Sequence, residues 1–213
     1  MLLIIGLILS YLVGSIPTAY LFGRIIKGID IRKHGSGNVG ATNAFRVLGA
    51  PIGITVLLLD ACKGVIGVVC IADILLKQGI GLNPVFLRIL LGLSAVLGHS
   101  LTIFLKFKGG KGMATTLGVL IGLAIKFSAL KVILISELLI WAVVFLFSRI
   151  VSLASIISAV FFPLLFIALK QPLPFVVMSL CLSAFIIYRH KANIARLLAG
   201  GEPRLNFNKS SKA

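Results

Sequence analysis

Three lysines (Lys106, Lys108, Lys111) and three glycines (Gly109, Gly110, Gly112) crowd into one stretch, GHSLTIFLKFKGGKGMATT, residues 98–116. Glycines let a backbone curl its N–H groups into a concave nest, and lysines add full positive charge. A helix starting at Met113 would also turn the positive end of its dipole toward that turn. The chemistry this suits is anion binding, with phosphate first. The plainer alternative is a basic loop that only fixes membrane topology. A Walker A reading fails, because Leu105 stands where the first glycine belongs and Gly112 where Ser or Thr belongs.

A second such stretch is RKHGSGNVGATNAFRVLG, residues 32–49. Gly35, Gly37 and Gly40 match G-x-G-x-x-G, with Asp60 about twenty residues on. The dinucleotide reading is rejected, since an apolar run precedes it and no βαβ unit fits. The glycines read better as another anion-cradling loop leading into a short helix from about Ala41. On that helix Thr42 and Arg46 are i,i+4 and Asn43 and Arg46 are i,i+3, so a hydroxyl or amide can share a face with a guanidinium. Arginine suits bidentate contact with phosphate. The third stretch is SRIVSLASI, residues 148–156, where Ser152 can cap a helix and Ser155 lies one turn in. Membrane-helix serines also serve as packing residues or helix-to-helix glue. In the tail YRHKANIARLLAGG, His190 and Asn193 are i,i+3, and His99 sits beside the lysine turn.

The elements that must position these residues are membrane spans. The chain is 59% hydrophobic, with mean hydropathy +1.15, so a soluble domain is excluded. The pattern predicts an all-α integral membrane protein, one polytopic domain over 1–213, with about seven helices near 1–22, 51–76, 84–105, 113–128, 129–148, 151–169 and 172–189. The first run has no basic flank before Arg24, so it reads as a retained span. Net charge is +16, but the basic residues lie between apolar runs and in the tail, without tracts of interleaved aromatics, so nucleic acid is not the expected partner. With seven spans, one face holds only Lys77, Arg88, Lys126, Lys131 and Lys170. Lys63 is inside a span, and all other Lys and Arg, the tail's Lys209 and Lys212 included, share the opposite face. The positive-inside rule then puts the N-terminus outside and the C-terminus in the cytoplasm. The second, fourth and sixth spans start on the basic side, each behind a Gly-rich or Ser-rich stretch, with helix N–H groups unsatisfied there. A re-entrant fourth segment would invert every later element.

Asp60 and Lys63, at i,i+3, are expected to pair, and Glu137 to face the bundle interior with a partner in a structural or conformational role. Cys62, Cys70 and Cys181 lack C-x-x-C spacing and read as small buried hydrophobes.

GSGNVGATNAFRVLG (35–49), GHSLTIFLKFKGGKGMATTLG (98–118) and VSLASI (151–156), in this order, resemble the three motifs of the bacterial acyl-phosphate:glycerol-3-phosphate acyltransferases, the PlsY family. YRHKANIARL resembles that family's C-terminal His/Asn element, and Thr102 departs from it where many members have proline. The resemblance spans the chain. It implies an enzyme of phospholipid synthesis in the bacterial cytoplasmic (inner) membrane, with its site on the cytoplasmic face. The reaction would be acyl transfer from acyl phosphate to the 1-hydroxyl of glycerol 3-phosphate, giving lysophosphatidic acid and phosphate. Ser36, Arg46, Lys111, Ser155, His190 and Asn193 are then expected to be catalytic. Gly37, Asn38, Thr42, Asn43, His99, Gly109, Gly110 and Ser152 are expected to bind substrate or phosphate, with Gly37, Gly109 and Gly110 as backbone donors. No metal or cofactor is expected, and functional coupling to an acyl-phosphate-forming enzyme is.

The residues agree with that chemistry. Soluble-type glycerol-phosphate acyltransferases use a His-x4-Asp base, but the residues at that spacing from His34, His99 and His190 are Val39, Phe104 and Ala195. The hydroxyl proton is therefore expected to pass to a substrate phosphate oxygen, with His190 as the alternative acceptor. A transporter for an organic phosphate remains the other reading, although transporters place such sites near the midplane, and no inverted repeat is visible.

Overall fold

A computed structural model describes residues 1–205, and every regular element among them is helical. Lys209 and Lys212 of the basic tail lie outside the described residues. The helices are α1 (Leu2–Ser15), α2 (Thr18–Lys27), α3 (Ala41–Leu48), α4 (Ala50–Val65), α5 (Ala72–Lys77), α6 (Pro84–Ser100), α7 (Met113–Lys126), α8 (Leu130–Ser148), α9 (Val151–Ala168), α10 (Leu173–Arg189) and α11 (Lys191–Leu198). A π-helical turn, Ile66–Ile71, joins α4 to α5. The described residues divide into two compact units, 1–126 and 127–205.

Among the described residues, five helical segments are long and apolar enough to cross a bilayer: Leu2–Lys27, Ala50–Lys77, Pro84–Leu105, Leu130–Ser148 and Val151–Ala168. A sixth results if α10 and α11, bent by 60°, count together. The first expected span runs further than residue 22 and is broken at Pro17, whose ring removes a donor and crowds the preceding turn. The fourth, expected at 113–128, is the 14-residue α7, about 21 Å long against a hydrocarbon core of about 30 Å.

In the first unit, α1 packs on α6 through small residues. Gly6, Ser10 and Gly14 recur every four residues, on one face of α1. A Cβ on Gly14 would strike the Ala95 carbonyl, and one on Gly98 the Tyr11 carbonyl. Ser10 Oγ donates to Leu91 O at 2.6 Å and Ser94 Oγ to Leu7 O at 2.7 Å. Such close contact with inter-helix hydrogen bonds is how helices associate where burial from water offers no drive. Helix α4 meets α7 in the same way, Gly64 against the Thr115 carbonyl and Gly118 against that of Ala61. Thr102 Oγ1 donates to Ser15 O at 2.5 Å, so this hydroxyl ties the end of α6 to α1. The π turn leaves the Val68 carbonyl to accept from Arg88 Nη1 at 2.6 Å, and Asp73 takes both Arg88 and Lys126 at 2.5 Å.

In the second unit, α8 exposes Val132, Ile135, Leu139 and Leu146, an apolar surface suited to lipid. Ser183 on α10 donates to Ala159 O of α9 at 2.5 Å. Glu137 is buried, as expected; its Oε1 has no hydrogen-bond partner among the described residues, and Ser158 lies beside it, donating to its main-chain carbonyl at 3.5 Å. The three cysteines are exposed, not buried. They lie on outward faces of apolar helices, where a membrane protein places small hydrophobes against lipid.

Candidate functional site

The first glycine loop is anchored at both ends. Ile31 and Val39 drop into a core with Ala19, Ala44, Leu48, Val56 and Leu105. Asp30 caps the 3-10 turn Ile31–Lys33, accepting from Arg32 N at 3.1 Å and from the Arg32 guanidinium at 2.6–3.2 Å. Those bonds to Arg32 hold its carboxyl well below the usual carboxylate range, against the opposing effect of burial. Asn43 is fully buried under the loop. Its Oδ1 accepts from Ser36 N at 2.9 Å, and its Nδ2 donates to Ile31 O at 3.2 Å and His34 O at 3.1 Å.

This corrects the expectation that Asn43 shares a face with Arg46 and meets phosphate. Its amide satisfies the loop backbone and positions Ser36, which is exposed. Thr42 and Arg46 stay one turn apart and half-buried on α3. Gly37 is a second correction. Its N–H donates to His34 O at 3.0 Å, and its φ of +70° explains the glycine. Asn38 is half-buried, with its N–H 3.5 Å from Ser36 Oγ.

The lysine turn is built differently from a phosphate nest. Lys106 and Phe107 both take left-handed backbone, with φ of 54° and 61°, reversing the chain after α6. Residues 109–110 then run back along α6. Gly109 N–H donates to Ser100 O and Gly110 N–H to His99 O, each at 3.1 Å. A Cβ at Gly109 would hit the His99 carbonyl, and one at Gly110 the His99 imidazole Nε2. These glycines therefore permit close approach to α6, and their N–H groups serve the fold, contrary to the backbone-donor expectation. Lys106 and Lys108 are exposed and Lys111 is half-buried, two residues before α7 begins at Met113.

His99 itself is buried in an ionic cluster. Its Nδ1 lies 3.6 Å from Asp60 Oδ1, which also accepts from Thr18 Oγ1 at 2.5 Å and pairs with Lys63 Nζ at 2.5 Å. Lys63 donates further to the Ile16 carbonyl at 2.5 Å, at the Pro17 break. The expected Asp60–Lys63 pair is thus present. Below the turn is a narrow crevice whose lining includes Thr18, Lys63, His99, Thr102, Gly109 and Gly110. His99 supports the turn from beneath, a positioning role in place of the expected substrate contact. The His99–Asp60 pair is legible only in space, since the two residues are far apart in sequence.

In the second unit, α9 is capped by Ile150, not by Ser152. Ser152 Oγ donates to Glu202 Oε1 at 2.6 Å, so its proton is committed to a carboxylate. Ser155 Oγ donates to Val151 O at 2.9 Å and accepts from the Trp141 indole at 3.3 Å. His190 stands at the 60° bend between α10 and α11. Its Nδ1 is 2.8 Å from Ile186 O. A carbonyl only accepts, so Nδ1 carries the proton and Nε2 is the acceptor of the neutral ring. Asn193 Nδ2 donates to Glu202 Oε1 at 2.5 Å and Arg196 Nε to Oε2 at 2.7 Å. Burial pushes the Glu202 carboxyl up, but the bonds from Ser152, Arg196 and Asn193 outweigh it and leave its pKa below the usual value. Glu202 lies outside the three motifs and is not among the residues expected at the site. The available signal was a lone acid in a basic tail, next to Gly200 and Gly201.

A sequence profile described as glycerol-3-phosphate acyltransferase matches residues 4–200. The glycerol-3-phosphate acyltransferase of Chlorobium phaeovibrioides is 42% identical over 95% of this chain and 96% of its own length. Glycerol-3-phosphate acyltransferase 2 of Moorella thermoacetica is 46% identical over 95% and 97%. The crystal structure of PlsY (YgiH), an integral membrane glycerol 3-phosphate acyltransferase, in its glycerol 3-phosphate form, superposes with a TM-score of 0.83. It is 38% identical over 96% of both chains. Its lysophosphatidic acid form gives a TM-score of 0.81 at 37% identity, again over 96% of both chains. With motifs, helices and full-length relatives in agreement, the chain belongs to the glycerol-3-phosphate acyltransferase family.

Proposed function

We propose that this protein transfers a fatty acyl group from acyl phosphate to the 1-hydroxyl of glycerol 3-phosphate, releasing lysophosphatidic acid and inorganic phosphate. The hydroxyl oxygen attacks the acyl carbon, the bond from that carbon to the phosphate oxygen breaks, and the hydroxyl proton leaves with a phosphate oxygen. His190 Nε2 is the second candidate acceptor for that proton. The observation that carries the reading is the match of residues 4–200 to the family, together with half-buried Arg46 and Lys111 in its motifs. Both substrates bring phosphate, and acyl phosphate already has a good leaving group. The protein's work is then orientation and charge neutralisation. Ser36, Arg46 and Lys111 in the first unit, and Ser155, His190 and Asn193 in the second, are the residues we assign to substrates. The His99–Asp60 pair is not a general base here, because Asp60 is already shared with Lys63 and Thr18 beneath the turn.

The topology that fits is seven crossings, with α7 and α10 as short ones, the N-terminus outside and the C-terminus in the cytoplasm. The charge asymmetry supports it, and it puts the chemistry on the cytoplasmic face of the bacterial inner membrane. A reactive mixed anhydride as donor favours functional coupling to the enzyme that forms it. Purified protein incubated with acyl phosphate and glycerol 3-phosphate should form lysophosphatidic acid. No product from a well-folded preparation would refute the assignment.

A further inference from the structure

The reversal after α6 carries a mixed apolar and basic surface. Ile103, Phe104 and Phe107 are 50%, 59% and 58% exposed. Lys106 and Lys108, which flank Phe107 in sequence, are exposed as well. The backbone beneath them is firmly held. Leu105 is buried in the core with Val39 and Leu48, and Thr102 donates its hydroxyl to Ser15 O. The Thr102 carbonyl accepts from Leu105 N–H at 3.2 Å and from Phe107 N–H at 2.8 Å. Lys106 and Phe107 are thereby kept in left-handed backbone, which bulky residues rarely adopt. Three large apolar side chains held out on so fixed a frame are costly in water, so the surface calls for a cover.

The loop ends the segment Pro84–Leu105, so it lies at one edge of the hydrocarbon layer. At that depth aromatic rings sit among headgroups and the first acyl carbons, and lysines extend toward phosphates. Neither lysine pairs with a carboxylate among the described residues. The sequence has no acid between Asp73 and Glu137. The two charges therefore suit an anion from outside the chain, and the rings beside them select an amphiphilic one.

We infer that residues 103–108 form a docking loop for anionic lipid headgroups, with Phe104 and Phe107 in the interface and Lys106 and Lys108 on headgroup phosphates. Lys111 follows across Gly109 and Gly110, whose N–H groups are fixed to α6. Lipid contact then sets the level of the Lys111 turn, where a donor with its acyl chain in the bilayer must arrive. That consequence rests on the proposed reaction; the lipid contact itself does not.

The test uses the full chain in lipid nanodiscs. Trp141, the chain's one tryptophan, is changed to Phe so that Phe107→Trp reports alone. Its emission should be quenched by phospholipid brominated near the top of the acyl chains and little by aqueous iodide. Brominated phosphatidylglycerol should quench about twofold to fivefold more than brominated phosphatidylcholine at the same mole fraction, and Lys106→Ala/Lys108→Ala should erase that difference. Phe104→Trp reads the same contact if the first variant is not recovered. Quenching by iodide without a response to brominated lipid overturns the inference. So does equal quenching by the two lipids, or a preference that survives loss of both lysines. On the unlabelled wild type, adding phosphatidylglycerol to phosphatidylcholine discs should raise kcat/KM about threefold, with the double lysine variant unresponsive. A wild type inactive in every disc sinks the function reading instead, and the quenching alone then decides the loop.

Discussion

Gly110 lies flat against the imidazole of His99, and its N–H closes onto the His99 main-chain carbonyl at 3.1 Å. The turn that carries Lys111 is therefore seated on α6 by contacts that a methyl group would break. Gly110→Ala must displace either the turn or a ring held next to Asp60. A shift near 1 Å at a catalytic group costs about 10²-fold in rate. We expect kcat/KM to fall by about that factor with normal membrane expression. An alanine variant of near wild-type activity would show that the seating is not required.

The Asp60–Lys63 pair should be a stability element before it is anything else. Lys63→Met leaves a buried carboxylate without its cation and the Ile16 carbonyl without its donor. Breaking one partner of a buried pair costs about 3–5 kcal/mol. Thermal unfolding in detergent should show a large drop for Lys63→Met and a partial recovery in Asp60→Asn/Lys63→Met. Equal stability of Lys63→Met and wild type would contradict the cluster's role.

The helical class, the membrane setting and the Asp60–Lys63 pair were legible in the sequence, because apolar runs and i,i+3 spacing are local signals. What was not legible depends on contacts between distant segments. Asn43 looked like a ligand on Arg46's face until the loop folded over it. Gly109 and Gly110 looked like phosphate donors because the sequence cannot show α6 lying under them. The bend at His190 and the return of Glu202 onto Ser152 and Asn193 also arise only in three dimensions. The shortness of α7 goes with Lys126, which ends its apolar run.

Topology can be read by labelling single cysteines on a background without Cys62, Cys70 and Cys181. Ser36, Lys108, Arg149 and Ala192 are suitable inside positions and Gln78 an outside one. Seven crossings predict labelling of the first four from the cytoplasm only, and of Gln78 from outside only. Arg149 labelled from outside with Lys108 still inside would mean that α7 does not cross.

Lys111 should carry more function than Lys106 or Lys108. It is half-buried two residues before α7, where its charge and the helix dipole would act on the same anion, whereas the other two are exposed. Removing one charge-assisted contact in a shielded site costs roughly 2–4 kcal/mol, or about two to three decades in rate. Lys111→Ala should lose that much kcat/KM, with Lys106→Ala and Lys108→Ala within a few-fold of wild type. Equal effects at all three would return the turn to a topological anchor.

The reaction itself is tested most directly by donor identity. Purified protein, free of any phosphate-forming partner, is given glycerol 3-phosphate with acyl phosphate, acyl-CoA or acyl carrier protein, and lysophosphatidic acid and inorganic phosphate are counted together. Acyl phosphate should give the two products in equal amounts, with the thioesters inactive. Comparable product from a thioester, or phosphate released without lysophosphatidic acid, would contradict it.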